Sequence, residues 1–164
     1  MTFQPRGGAA RRHSRRAAAT LGAVSAGLLV LSACDEPTPM ATVTIGTDSI
    51  SSEAACYRTL TAEQAVECTK EKPSKSVELP EDETLRIGVD PEVADAGWTL
   101  WIDGRPVVNE TFDKTYKVFP NPGLFATQPG QTAPKSLIIS VVQQNAEGSK
   151  IEGVWNFELK NPDA

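Results

Sequence analysis

Residues 98–104 read Trp-Thr-Leu-Trp-Ile-Asp-Gly. Trp98, Leu100 and Ile102 alternate with Thr99, Trp101 and Asp103. Side chains of a strand point to its two faces in turn, so one face here is wholly apolar and Trp101 lies on the other. Asp103-Gly104 closes the run with two residues that tolerate positive φ, the requirement of a two-residue hairpin turn. Period two spreads outward from this strand. Leu85, Ile87 and Val89 point one way, opposite Thr84, Arg86 and Gly88. Ile151, Gly153, Trp155, Phe157 and Leu159 line one face of a last strand, while 137–142 is apolar on both faces, as a central strand is. Val43 and Ile45 mark a first strand over 41–46, residues 50–57 a weaker extended segment, and Phe112, Tyr116 and Val118 a strand across 111–119. Pro120, Pro122, Pro129 and Pro134 make 120–134 a long loop, and 145–149 turns the chain. About seven strands with turn signals between them predict an all-β chain folded as a single antiparallel β-sandwich. Thr61-Ala62-Glu63-Gln64 has capping-box spacing and predicts one short helix near 62–70.

The length of 164 residues suits one domain and is too short for two well-filled ones. Charge divides the chain unevenly. Residues 1–33 hold five arginines (Arg6, Arg11, Arg12, Arg15 and Arg16) and no acid; from residue 34 onward 11 basic residues face 21 acidic ones, a net charge of −10. The basic head, the uncharged Ala- and Gly-rich stretch 17–33 and the small residues at its end predict a signal peptide over 1–33. That stretch is short and Ala-rich for a spanning helix, which needs about 20 strongly apolar residues. The only histidine, His13, lies in the leader. A mature chain without imidazole excludes Ser-His-Asp and Cys-His catalysis and any His-ligated metal, and its acidity argues against nucleic acid.

Leu31-Ser32-Ala33-Cys34 resembles the lipobox of bacterial lipoproteins. The resemblance implies a diacylglyceryl group on Cys34, cleavage before it, and a lipid-anchored N-terminus; two acyl chains hold a protein stably where one does not. Ser14-Arg15-Arg16 opens like a twin-arginine signal, but Ala17-Ala18 follows in place of a large apolar residue, so both export routes stay open. Residues 34–40 then read as the lipidated Cys and a short polar tether, and 41–164 as the domain. Cys56 and Cys68 are left as an even pair for an oxidising compartment, predicting a structural disulfide worth on the order of 3 kcal/mol. A redox or metal pair is the rival reading, and no further ligand accompanies it.

Three segments, 41–57 (ATVTIGTDSISSEAACY), 86–107 (RIGVDPEVADAGWTLWIDGRPV) and 151–162 (IEGVWNFELKNP), resemble an actinobacterial lipoprotein family that carries a domain of unknown function. The similarity runs over nearly all of 15–162. It implies location and fold and supplies no catalytic residue. The sandwich is expected to be immunoglobulin-like: Trp98 resembles the core tryptophan of such domains, although Ile87 and Ile139 stand where antibodies carry the inter-sheet cysteines.

The densest carboxylate groups are Glu81-Asp82-Glu83 and Asp90-Pro91-Glu92 with Asp95. Neither has EF-hand spacing, and acidic loops at strand ends are usually solvated, so no metal or cofactor is expected. Ser-Lys dyads and paired carboxylates are the remaining catalytic routes, and neither has a signature here, so the chain is read as not an enzyme. The expected function is that of a membrane-anchored, extracytoplasmic lipoprotein acting as a non-enzymatic protein- or envelope-binding module. Its expected partners are the cytoplasmic membrane, through the lipid, and an envelope protein. Trp101, facing away from the core, and Phe125 in the Pro-rich loop are the candidate binding residues, because exposed aromatics anchor interfaces. The rival reading packs Trp101 on an edge strand or under the 120–134 loop. With Trp101 outside, Trp98→Ala is expected to cost several kcal/mol and Trp101→Ala almost nothing. A small ligand carrier or hydrolase is the alternative function, and a convergent polar pocket is its mark.

Overall fold

A computed structural model describes residues 37–108, 110–120, 123–127 and 130–164. The signal peptide over 1–33 and the lipidation position Cys34 lie outside these residues. The compact unit spans Pro37–Ala164.

Two sheets pack face to face. In the first the order is β2 (Asp48–Ser52), β1 (Ala41–Ile45), β5 (Leu85–Val89), β8 (Tyr116–Phe119), every neighbouring pair antiparallel. In the second, β3 (Cys56–Leu60), β10 (Ile151–Lys160), β9 (Ser136–Gln144), β6 (Trp98–Ile102) and β7 (Arg105–Pro106) follow one another. The short β4 (Ser76–Glu78) continues the β3 edge, pairing with the far end of β10 in parallel. The all-β sandwich expected from the alternation is therefore present, with ten strands among the described residues and one parallel pair. The weak extended segment at 50–57 divides between the sheets: β2 closes a hairpin with β1, and the chain crosses at 53–55 to begin β3.

The inner faces supply the core. Val43, Leu85 and Ile87 from the first sheet meet Trp98, Ile139, Trp155 and Phe157 from the second, all fully buried. Burial of large side chains at about 25 cal/mol per Å² of apolar surface is the main favourable contribution. Trp98 Nε1 donates to Lys114 O at 2.8 Å, and its ring meets Phe112 edge-on at 4.9 Å between centroids. Phe112 thus belongs to the core through a bridge to Trp98, while Tyr116 and Val118, assigned to the same strand, are exposed.

Ile151 departs from the face assigned to it. The register shifts between Ile151 and Gly153, so Gly153, Trp155, Phe157 and Leu159 keep the inner face, whereas Ile151 joins the apolar cluster on the outer side. An extra residue in one strand of an antiparallel pair has this effect.

Two helices complete the domain. The capping box forms as predicted, and α1 covers Ala62–Thr69: Thr61 Oγ1 accepts from the Gln64 amide and Gln64 Oε1 from the Thr61 amide. A second helix, α2 (Pro91–Ala96), was not expected, the acids around Asp90 having been read as a loop. Proline in the first turn with an acid behind it, and Gly97 after the last turn, are its helix signals.

Packing also begins before residue 41. Pro39 is buried, Trp155 Nε1 donates to Pro39 O at 2.8 Å, and Met40 N donates to Asp90 Oδ2 at 2.7 Å while Asp90 N donates to Met40 O. A fully buried indole N–H needs an acceptor, and this backbone carbonyl provides it. The tether assigned to 34–40 therefore ends in docked chain at 38–40.

Candidate functional site

Trp101 faces away from the sandwich core, as alternation requires, but it is not on the surface. Only 7% of it is exposed, because α1 lies across the outer face of the second sheet and forms a second apolar layer there. Ala65 and Cys68 of α1 pack with Trp101, Val142 and Val154 of the sheet. Among the described residues its apolar cover comes from the helix, not from the Pro-rich loop. The exposure expected of Trp101 is corrected: it is a core residue, and its Nε1 has no hydrogen-bond partner among the described residues.

Three connections hold α1 in place. The Cys56–Cys68 disulfide joins β3 to the last turn of the helix. Asn156, buried on β10, donates from Nδ2 to Cys68 O at 2.7 Å and Glu71 O at 3.0 Å, tying the last turn of α1 and the chain just after it to the sheet. Ser140 Oγ donates to Asn156 Oδ1 at 2.7 Å and fixes that amide. The Asp103-Gly104 turn abuts the helix as well. Both residues have positive φ, +47° and +73°, and a Cβ at Gly104 would lie 3.2 Å from Val66 Cγ1.

Among the described residues one group of three potential metal ligands converges: Cys56, Cys68 and Glu71. Its two sulfurs are bonded to each other, which leaves a single carboxylate and no metal chemistry. Asp90 acts structurally, accepting from Met40 N. At the start of α1, the Glu63 carboxyl is held below its ordinary range by its own backbone N–H and by the Thr61 hydroxyl.

Phe125 is half-buried, packed against the edge of the sandwich core. With Leu79 and Leu124 it forms the apolar wall of a cleft of about 390 Å³, and Glu81 and Asp163 lie on the polar side. Residues 123–127 and Ala133 of the Pro-rich loop contribute to its lining.

The surface that sequence reading missed is the outer face of the first sheet. Register sets Ser51, Thr42, Gly88 and Tyr116 side by side in one row. The adjacent row runs Ser49, Thr44, Arg86, Val118. Thr42 Oγ1 and Ser51 Oγ are 2.8 Å apart, and Thr44 Oγ1 and Ser49 Oγ 2.9 Å. Tyr116 is 51% exposed and Val118 42%. The alternation that placed Arg86 and Gly88 opposite the core was visible in the sequence; which residues stand beside them was not.

No protein-family model, curated protein or solved structure matches the chain. The site rests on its own geometry.

Proposed function

We propose that the protein is a membrane-anchored extracytoplasmic lipoprotein, held by acyl chains on Cys34, whose sandwich is a non-enzymatic protein- or envelope-binding module. The Cys56–Cys68 disulfide carries this reading. It straps α1 over a tryptophan-containing layer, and such structural bridges persist in oxidising compartments outside the cytoplasm. The basic leader ending in the lipobox-like Leu31-Ser32-Ala33-Cys34 points the same way. Only Asp35, Glu36 and Pro37 separate Cys34 from the docked Thr38, whose Oγ1 accepts from Ala54 N. The four steps from Cys34 to Thr38 reach at most about 14 Å, so the domain of such a lipoprotein rests close to the bilayer.

The test is fractionation of expressing cells with mass analysis of the N-terminal peptide. The expected result is a diacylglyceryl-modified Cys34 in the membrane fraction, lost to the soluble fraction in Cys34→Ser. An unmodified, soluble wild-type chain rejects the anchor. In-cell crosslinking with affinity capture addresses the binding role, with Phe125→Ala in place of a change at Trp101, since the latter disturbs the core.

The alternative, a small ligand carrier, draws on the cleft beside Phe125. Saturable binding of a small apolar fluorophore, lost in Phe125→Ala, favours it.

A further inference from the structure

The two outer faces of the sandwich differ. One is covered by α1; the other is covered by neither helix among the described residues and carries side chains of a restricted kind. Four hydroxyl side chains and Gly88 make a low, level shelf, bounded by the exposed Tyr116 ring. Gly88 keeps the shelf level: a Cβ built there meets only Thr42 Cβ at 3.9 Å and Thr115 O at 3.8 Å, so the space above is free.

Charge is the second observation. The chain from residue 34 has 21 acidic and 11 basic residues, yet the two rows contain no carboxylate and one guanidinium, Arg86. The ion pairs among the described residues are Lys70–Glu67, Lys114–Asp113 and Lys150–Glu152, and Arg86 takes part in none. An arginine without an ion-pair partner among the described residues, in two rows that hold no carboxylate although Asp90 borders them beside Met40, complements an anionic ligand, because its planar fork matches a carboxylate in two hydrogen bonds.

We infer that this face binds a carboxylate-bearing glycan. Each hydroxyl both donates and accepts, as sugar hydroxyls do, and strands about 4.8 Å apart present them at regular spacing. The Tyr116 ring offers an apolar surface for a sugar's C–H face, with a polar tip in water. Arg86 pairs with the acid. A peptide, by contrast, satisfies its backbone groups best along the free edge of β8, where it adds a strand and leaves the shelf unused. The inference deepens the binding-module reading and names its ligand class; it is independent of the lipid anchor.

The test uses the purified mature chain and isolated peptidoglycan glycan strands stripped of their peptides, which carry muramic acid carboxylates, in a co-sedimentation titration. Carboxyl-amidated strands and a poly-glutamate peptide are the comparison probes. Wild-type protein is expected to bind the carboxylated strands, less tightly as salt rises. Tyr116→Ala and Arg86→Ala are each expected to weaken binding about tenfold, the size of a modest interface anchor. Arg86→Lys recovers part of the loss. Gly88→Leu, which fills the shelf from an open position, abolishes binding, while Val107→Ser, exposed elsewhere, has no effect. Thermal melts of the same samples show that the variants are folded. The inference is overturned by wild-type protein that ignores the strands, by equal binding of amidated strands, by full competition from poly-glutamate, or by variants that bind as wild type does. Each result is read without a membrane, so a failure here leaves the Cys34 reading intact, and an unmodified Cys34 leaves the glycan result intact.

Discussion

Trp98 and Trp101 stand three residues apart on β6 with opposite faces and the same fate. Trp98 is fully buried between the sheets and Trp101 is 7% exposed beneath α1. Truncating either leaves a large cavity, so Trp98→Ala and Trp101→Ala are each expected to cost on the order of 3–5 kcal/mol in chemical denaturation. A Trp101→Ala variant as stable as wild type would contradict the placement of the helix. Gly153 is a different kind of constraint. A Cβ there would lie 2.4 Å from Trp155 Cη2 and 2.7 Å from its Cζ3, and the ring is fully buried and cannot swing away freely. Gly153→Ala is therefore expected to destabilise by about 1–3 kcal/mol, the range for overpacking, read as a lowered melting temperature.

At the scale of elements, α1 depends on its attachments. Eight residues are too few to hold a helix alone in water. The disulfide, the Asn156 bonds and the apolar layer around Trp101 supply what propensity does not. Replacing both cysteines by serine is expected to cost on the order of 3 kcal/mol. Amide hydrogen exchange should then quicken in α1 and β3 well before β9 and β10. Acid acts on the other end of the helix. The Glu63 carboxyl titrates below its ordinary range, so the charged form favours the folded helix; this contribution is complete above the unfolded value and fades as pH falls through the lowered folded one. Far-UV dichroism is expected to show a small acid-side loss of helix in wild type that Glu63→Gln lacks.

At the scale of the whole molecule, the fold begins with the docked strand entry at 38–40. Removing residues 37–40 from a chain that begins at residue 37 takes away Trp155's acceptor and one side of the Met40–Asp90 pair. The expected destabilisation is on the order of 2 kcal/mol by urea titration.

Much of this was legible from local order. Alternation at 85–89, 98–102 and 153–159 specified strands and faces, because a strand's side-chain period belongs to the backbone and needs no neighbour. Asp103-Gly104 and Thr61–Gln64 specified a turn and a helix start through φ preference and side-chain hydrogen bonds within four residues. The second helix carried its own signals in Pro91 and Gly97, unused because the nearby acids drew a different reading. What no local pattern held was the pairing of distant segments: that α1 would cross the second sheet and remove Trp101 from water, that Ile151 would change sides at a bulge, and that Thr42, Thr44, Arg86, Gly88 and Tyr116 would share an open face. Alternation says which residues turn away from the core; whether they meet water or another layer depends on contacts between segments far apart in the chain, and those exist only once it has folded.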